Sequence, residues 1–207
     1  MQELRLSLQN ETFEFAETPL LHEGVRVTDV FALKNNKSLR VTIGHPKYSK
    51  LASRVEARYA ISLDVRLGDF LRNLKQNGDP FYREFLNQHG DDEYCRFKLA
   101  DPGVKRLKGL YCFTVDERLK YIGKSTDSFA KRIDQGYGTI HPKNCFHDGQ
   151  STNCHLNGLI AQVAGQLRLF LHPMMDDRMI EFAEAQLIMK YDPEWNVQLR
   201  GYRKAGS

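Results

Sequence analysis

The sequence has no long hydrophobic run and little excess charge, and each absence excludes a class of protein. No apolar stretch approaches the roughly 18 residues that a membrane-spanning helix needs, and the N-terminal segment lacks a signal-peptide core. The 207 residues carry a formal net charge of only +4, from 30 basic and 26 acidic side chains. We therefore expect a cytoplasmic protein with no membrane partner. A net charge this small permits nucleic-acid binding without demonstrating it.

Cysteine is scarce and is not arranged in close pairs. The four cysteines are Cys95, Cys112, Cys145 and Cys154, and no Cys-x-x-Cys spacing occurs among them. This pattern is typical of reduced thiols in an intracellular protein. Cys145, His147, Cys154 and His155 do place four metal-binding side chains in one short segment. A structural zinc site there is an alternative to unpaired loop cysteines.

The composition is that of a folded protein, and a boundary is predicted near Asp101-Pro102-Gly103. Apolar residues make up 41% of the chain and charged residues 27%. Before the boundary, the pattern predicts a strand at Ser38–Ile43 and an amphipathic helix at Asp64–Leu74. We expect residues 1–103 to form an accessory α/β region and residues 104–207 to form a second domain.

A β-hairpin is predicted at Gly109–Lys124, which reads GLYCFTVDERLKYIGK. Aromatic and β-branched residues fill the two runs Leu110–Val115 and Leu119–Ile122. The polar segment Asp116–Arg118 separates them as a three-residue turn. The length of this turn fixes which residues lie opposite one another.

The predicted pairing brings two tyrosines to one face of the hairpin. Tyr111 lies opposite Gly123, and Tyr121 lies diagonally across from Tyr111, about 7–8 Å away. Gly123 has no side chain, so another group can approach the backbone closely there. Taken alone, two strand tyrosines are most simply explained as a half-buried aromatic cluster.

Two later helices each carry a charged residue at a packed face. The first helix after the hairpin is predicted to end at Gln135, and Arg132 borders its packed face. The last helix is predicted at Asp177–Tyr191, and Glu184 lies inside its apolar stripe. An ionised carboxylate in that position is costly unless it is paired or bound to a cation. A solvated arginine and a glutamate at the edge of the stripe are the simpler readings of these two residues.

The amino-acid sequences of these segments resemble those of the GIY-YIG nuclease family. Gly109-Leu110-Tyr111 and Tyr121-Ile122-Gly123 resemble the two-part family signature, with leucine in place of the usual isoleucine. The segment Glu184–Arg200, EAQLIMKYDPEWNVQLR, resembles the end of this domain in a DNA repair nuclease of the family. Glu184 stands at the place of the metal-binding glutamate, and Asn196 at that of a late asparagine.

A long polar connection, Gly138–Asn153, adds a second resemblance, because its amino-acid sequence is similar to that of GIY-YIG restriction endonucleases. Hydrogen-bonding side chains mixed with positive charge suit contacts with phosphates and base edges. An ordinary polar loop is the simpler alternative. The candidate DNA-contacting residues are His141, Lys143, Asn144, His147, Gln150, Asn153, His155 and Asn157.

The resemblance implies an α+β nuclease domain with a small antiparallel or mixed three-stranded sheet flanked by helices. The activity it implies is metal-dependent hydrolysis of phosphodiester bonds in double-stranded DNA, leaving 5′-phosphate and 3′-hydroxyl ends. A Type II restriction endonuclease, acting as a homodimer or by successive nicking, is the leading expectation. The alternatives are a structure-directed repair or mobile-element nuclease and a catalytically inactive DNA-binding module. The N-terminal region would then read DNA, mediate dimerisation or support the sheet.

The resemblance also implies a chemical role for individual residues. Glu184 would hold one Mg²⁺, or Mn²⁺ in its place, and no organic cofactor is expected. Tyr111 would position and deprotonate the attacking water, and Lys124 would help it because a free phenol has a pKa near 10. Arg132 matches the arginine on the first helix after the family's hairpin, and it would stabilise charge on the phosphate.

The resemblance implies supporting roles for three further residues. Tyr121 would orient water or phosphate, and Asn196 would support Glu184 or the backbone of the site. The family normally has a histidine or tyrosine one helical turn after the arginine, a place that Gly136 occupies here. Tyr137 lies one residue beyond it, so it fills this position only if the end of the helix is distorted.

Overall fold

The computed structural model describes residues 3–9, 11–163 and 165–197, and it divides into two compact units. The sheet unit comprises Met1–Gly24, Arg96–Gly138 and Gln162–Ser207, and the helical unit comprises Val25–Cys95 and Thr139–Ala161. Each unit is assembled from separate stretches of chain. The division therefore differs from the expected break at residue 103, because the first strands join the second half of the chain and the polar connection joins the first.

The described residues form the following elements in chain order. The strands are β1 (Glu3–Leu8), β2 (Glu11–Thr18), β3 (Leu20–Val27), β4 (Tyr94–Leu99), β5 (Gly109–Val115), β6 (Arg118–Ser125) and β7 (Leu167–Pro173). The α-helices are α1 (Leu39–Ile43), α2 (Ala52–Tyr59), α3 (Leu67–Gln76), α4 (Ser151–Val163) and α5 (Asp177–Tyr191). A π-helix spans Ala130–Tyr137, and short 3-10 helices include Val30–Leu33, Pro80–Phe85 and Pro142–Cys145.

The sheet unit is built on an antiparallel five-stranded sheet with the order β1-β2-β7-β5-β6. The two strands of the predicted hairpin are its β5 and β6. The N-terminal hairpin of β1 and β2 extends the sheet, because Phe13 and Phe15 alternate onto its buried face and are almost completely enclosed. The chain is thus α+β, as expected, with two more strands than the resemblance implied.

One face of this sheet packs on α5. Leu110 and Ile122 share a hydrophobic core with Ile180, Ala183 and Leu187 of the helix. The spacing of the last three residues is the apolar stripe from which α5 was predicted, and the bounds of that helix are confirmed. Because successive strand residues face opposite sides, Tyr111 and Tyr121 point to the other face.

The helical unit has its own core, in which buried aromatic residues of the 3-10 helices pack on α1 and α3. The segment predicted as the strand Ser38–Ile43 is mostly helix α1. Its serine accepts a hydrogen bond from the backbone N–H of Val41 at 3.4 Å, which caps the helix. Leu39 and Ile43, four residues apart, are both buried on one side. A segment of five residues is too short for its apolar positions to distinguish the period of a helix from that of a strand.

Strands β3 and β4 form a separate two-stranded sheet. Among the helices of the described ranges, none combines the length and the apolar character that crossing a membrane requires.

Candidate active site

The β5–β6 hairpin has the tyrosine pairing that the sequence predicted, although its turn differs. Tyr111 lies opposite Gly123, and Phe113 lies opposite Tyr121. The turn itself has two residues, Asp116 and Glu117, with φ angles of 47° and 63°, rather than the three predicted. The register shifts next to Phe113, where one extra residue in β6 compensates for the shorter turn.

Gly123 leaves room for the two tyrosine rings. A Cβ atom at this position would lie 2.4 Å from both Cζ and Oη of Tyr111 and 2.7 Å from Cε1 of Tyr121. The expected space above Gly123 is therefore filled by the chain's own aromatic side chains. The rings of Tyr111 and Tyr121 stack with their centroids 6.1 Å apart.

A distortion of the helix after the hairpin brings a third tyrosine to the same place. In the π-helix, the N–H of Gly138 donates to the carbonyl of Ile133 at 2.6 Å, five residues earlier. This wider turn admits one extra residue, so Tyr137 takes the position that an α-helix would give to Gly136. The Tyr137 hydroxyl lies 2.8 Å from the hydroxyl of Tyr111. The sequence alone left this distortion open.

The hydroxyl of Tyr121 completes a cluster of three phenols, at 3.3 Å from that of Tyr137. We call Tyr111, Tyr121 and Tyr137 the tyrosine cluster. Burial raises the pKa of Tyr111 and of Tyr121 well above the ordinary value, and the neighbouring phenols raise it further. Both phenols are therefore protonated at neutral pH, so Tyr111 in this arrangement is a hydrogen-bonding group rather than a ready base.

Arg132 places a cation beside the tyrosine cluster. Its Nε donates to the backbone carbonyl of Lys124 at 3.3 Å, and its guanidinium carbon lies 5.6 Å from the centre of the Tyr137 ring. Burial works to lower the pKa of Arg132, but the tyrosine cluster and Glu184 raise it overall. The guanidinium is held charged at the edge of a largely apolar pocket of rings.

Glu184 is paired, as an ionised carboxylate inside an apolar stripe requires. Its Oε2 lies 2.7 Å from Nζ of Lys124, and the two side chains are 18% and 31% exposed. The sequence assigned Lys124 to Tyr111, whereas the structure pairs it with Glu184. The signal for this pairing is the period of two in β6, because Lys124 shares the sheet face of Ile122, which packs on α5.

Asn196 supports the backbone between Tyr121 and Gly123. Its Oδ1 accepts from the N–H of Ile122 at 2.9 Å, and its Nδ2 donates to the carbonyl of Ile122 at 2.7 Å. The asparagine is buried, and its side chain makes the two backbone hydrogen bonds that a neighbouring strand would otherwise make with the edge strand β6. Of the two roles that the resemblance implied, this contact belongs to backbone support.

The eight candidate DNA-contacting residues all lie in the helical unit. Four of them are exposed, namely His141, Lys143, His147 and Gln150. Asn144 and His155 are half-buried, and Asn153 and Asn157 are buried. The amide of Asn157 holds both the N–H and the carbonyl of Cys95, each at 2.9 Å, and Asn153 donates to Gln150 at 2.9 Å. These two asparagines therefore organise the unit itself.

The cysteine of the polar connection, Cys145, and the next cysteine in the chain, Cys154, are buried thiols. Cys145 and Cys154 are free and completely enclosed, and Cys145 Sγ lies 3.8 Å from the hydroxyl of Tyr94. Within the described ranges, no three histidine, cysteine, aspartate or glutamate side chains are grouped so that they could hold a metal ion. The zinc alternative is therefore without a ligand set in this part of the chain.

Comparisons with models of protein families, with curated proteins and with solved structures gave no match to this chain. The relation to GIY-YIG nucleases thus remains a prediction from sequence motifs.

Proposed function

We propose that the chain is a cytoplasmic, divalent-metal-dependent DNA endonuclease of the GIY-YIG type that acts in restriction–modification. The observation that supports this proposal most is a series of contacts in the sheet unit, in which the half-buried guanidinium of Arg132 lies against Tyr137 and the carbonyl of Lys124, and the ammonium group of Lys124 pairs with Glu184. Arg132 and Glu184 are 52 positions apart in the sequence, yet the pKa of Arg132 responds to the charge of Glu184. Phosphodiester hydrolysis uses these kinds of group together.

Arg132 is proposed to stabilise negative charge on the phosphate. A guanidinium presents a planar set of donors that matches two phosphate oxygens, and it remains charged at neutral pH. Its half-buried setting strengthens this interaction because water screens it less. The contact with the Lys124 carbonyl fixes the direction of the side chain before any substrate is present.

Glu184 fits the role of a single carboxylate anchor for Mg²⁺ or Mn²⁺. Mg²⁺ commonly keeps several waters and takes one or two carboxylates together with phosphate oxygens, so one carboxylate beside a phosphate site is enough. When bound, the metal ion supplies Lewis-acid stabilisation of charge on the phosphate and leaving oxygen. In the protein alone, the ammonium group of Lys124 neutralises Glu184.

Tyr111 is proposed to hold the attacking water by a hydrogen bond. Its protonated hydroxyl already exchanges a hydrogen bond with Tyr137, and a water or phosphate oxygen would take the place of Tyr137 as the partner. Tyr121 adds a second phenol at the same place. The exposed residues of the polar connection, His141, Lys143, His147 and Gln150 among them, are proposed to contact DNA.

A catalytically inactive DNA-binding module is the second candidate, and one feature favours it. The carboxylate is occupied by Lys124 and the phenols are protonated, which is an arrangement that needs no metal to be stable. A structure-directed repair or mobile-element nuclease would share the active site and differ in its substrate.

Digestion of an unmethylated phage genome separates these candidates. We expect sharp fragments with Mg²⁺ and none with EDTA, and no cleavage by Glu184→Ala, which should bind DNA as the wild type does. Glu181→Ala, an exposed glutamate three residues earlier on α5, is the matched control and should cleave normally. A smear would indicate a repair-type or nonspecific nuclease. Cleavage by Glu184→Ala at the wild-type rate would refute the metal role.

A further inference from the structure

The small net charge of the chain conceals a strongly basic segment in the helical unit. Residues 34–66 contain eight basic and two acidic side chains, whereas the rest of the chain contains 22 basic and 24 acidic ones. The whole excess of positive charge therefore comes from this one segment. When the charges of residues 1–100 are added together, the segment is hidden, because acidic residues on both sides of it offset most of its positive charge.

Part of this charge is neutralised locally. Four of the basic residues form ion pairs, namely Lys34 with Asp148, Arg40 with Asp64, Arg54 with Glu84, and Arg58 with Asp79. With Lys143 and the acidic partners from outside the segment included, nine basic residues face five acidic ones. The four remaining basic residues, Lys37, Lys47, Lys50 and Arg66, are exposed, and none forms an ion pair with another described residue.

Several of these charges are close together in space. Nζ of Lys34 lies 3.8 Å from Asp148 and 4.0 Å from the centre of the Phe146 ring. Burial lowers the pKa of Lys34, Asp148 raises it, and Lys143 and Lys37 lower it further. Lys34 is therefore repelled by two lysines, Lys37 and Lys143, that come from two distant stretches of chain. An anion bound there would relieve this repulsion.

One backbone contact and one side-chain contact bring further charges near this place. The N–H of Leu67 donates to the carbonyl of Lys37 at 3.0 Å, so Arg66 lies beside Lys37. The hydroxyl of Tyr48 donates to Asp148 at 2.7 Å, which holds the turn that carries Lys47 and Lys50 near the same carboxylate. We call Lys34, Lys37, Lys47, Lys50, Arg66 and Lys143 the basic surface.

We propose that the basic surface of the helical unit binds the phosphate backbone of double-stranded DNA. The proposal rests on the proposed function for the identity of the polyanion and names the surface that holds it. Spread, exposed lysines bind a chain of phosphates better than a single small anion, because each neutralises one phosphate and releases a counterion. Lys143 is followed in the chain by the exposed His147 and Gln150, whose donors and acceptors suit base edges and are not needed for a lipid surface.

The test is the salt dependence of DNA binding by the full chain in EDTA, where cleavage does not interfere. The variant Lys37→Gln/Lys47→Gln/Lys50→Gln should bind a short duplex at least about tenfold more weakly near 0.1 M salt. The slope of log affinity against log salt should fall in magnitude by about two to three, since each lost phosphate contact contributes about 0.9. Thermal unfolding should be unchanged, because the three side chains are exposed.

The matched control removes three exposed charges from the sheet unit, with Lys98→Gln/Arg118→Gln/Arg178→Gln. It should keep the affinity and slope of the wild type. An equal loss in the control, or an unchanged slope in the test variant, would overturn the proposal. So would loss of binding to anionic phosphatidylserine vesicles in the test variant with DNA binding retained.

These outcomes are separate from those of the nuclease assay. Weakened binding in the test variant, together with a wild type that never cleaves, would keep the basic surface and remove the endonuclease. If the wild type cleaves DNA with Mg²⁺ and the test variant binds DNA normally, the endonuclease would be kept and the basic surface would be removed.

Discussion

The sheet unit and the helical unit carry their polar groups in opposite ways. In the sheet unit the phenols, Arg132 and Glu184 are partly or wholly buried, and each is fixed by a short contact. In the helical unit five of the six residues of the basic surface are exposed, and none of those five forms an ion pair with another described residue. Chemistry at one phosphate needs a few groups held in place, whereas binding a polyanion needs many charges held loosely. The contrast leads us to expect that substitutions in the first unit change the rate and that those in the second change the affinity.

Arg132→Ala should give the largest effect and tests the contrast between the two units most directly. Loss of a preorganised donor to the transition state is expected to lower the single-turnover cleavage rate by about 10²–10³-fold. DNA affinity in EDTA should stay near that of the wild type, the opposite of the result expected for the lysine variant.

Its control is Lys131→Ala, the adjacent exposed lysine, which pairs with Asp127 on the surface. This variant should cleave normally. A rate loss in Lys131→Ala equal to that in Arg132→Ala would show that the helix, and not the guanidinium, is responsible. A loss of affinity without a loss of rate in Arg132→Ala would place the residue among the DNA-binding groups.

Gly123→Ala tests whether the site depends on the close packing of the tyrosine cluster. The added methyl group would overlap the ring of Tyr111, 2.4 Å away, so the ring must move. Overpacking of this kind is expected to lower the free energy of unfolding by about 1–3 kcal/mol and to reduce cleavage at temperatures where the variant is folded. Urea denaturation and single-turnover kinetics measure the two effects.

Gly165→Ala provides the matched control, because a Cβ atom there meets nothing within 4 Å. It should leave stability and cleavage close to those of the wild type. If Gly123→Ala behaved in the same way, the space above Gly123 would be free for another group, as the sequence first indicated.

The same contrast explains how much could be predicted from the sequence. The hairpin pairing was predicted although the turn was wrong, because the extra residue in β6 restores the register before Tyr121. The π-helix that brings in Tyr137 was only one of the possibilities, since a helical sequence pattern does not distinguish a wider π-helical turn from a regular α-helical one. β1 and β2 were not assigned to the sheet, because pairing between distant segments leaves no local pattern. The basic surface has no motif at all, and a charge count over a shorter window is the signal that reveals it.

The effect of Tyr111→Phe on stability should be smaller than that of Gly123→Ala and should depend on pH. Burial holds the pKa of Tyr111 above that of the unfolded chain, so the folded protein keeps this proton when the unfolded chain releases it. The stabilisation is fully present below about pH 10 and is lost as the pH rises further, by at most about 1.4 kcal/mol per pH unit for one group. Between pH 8 and 11, the free energy of unfolding from urea denaturation should therefore fall less steeply in Tyr111→Phe than in the wild type. Tyr191→Phe, which removes a half-buried phenol on α5, serves as the control. An equal flattening in that control would mean that the enclosed position of Tyr111 is not what makes the sheet unit sensitive to alkali.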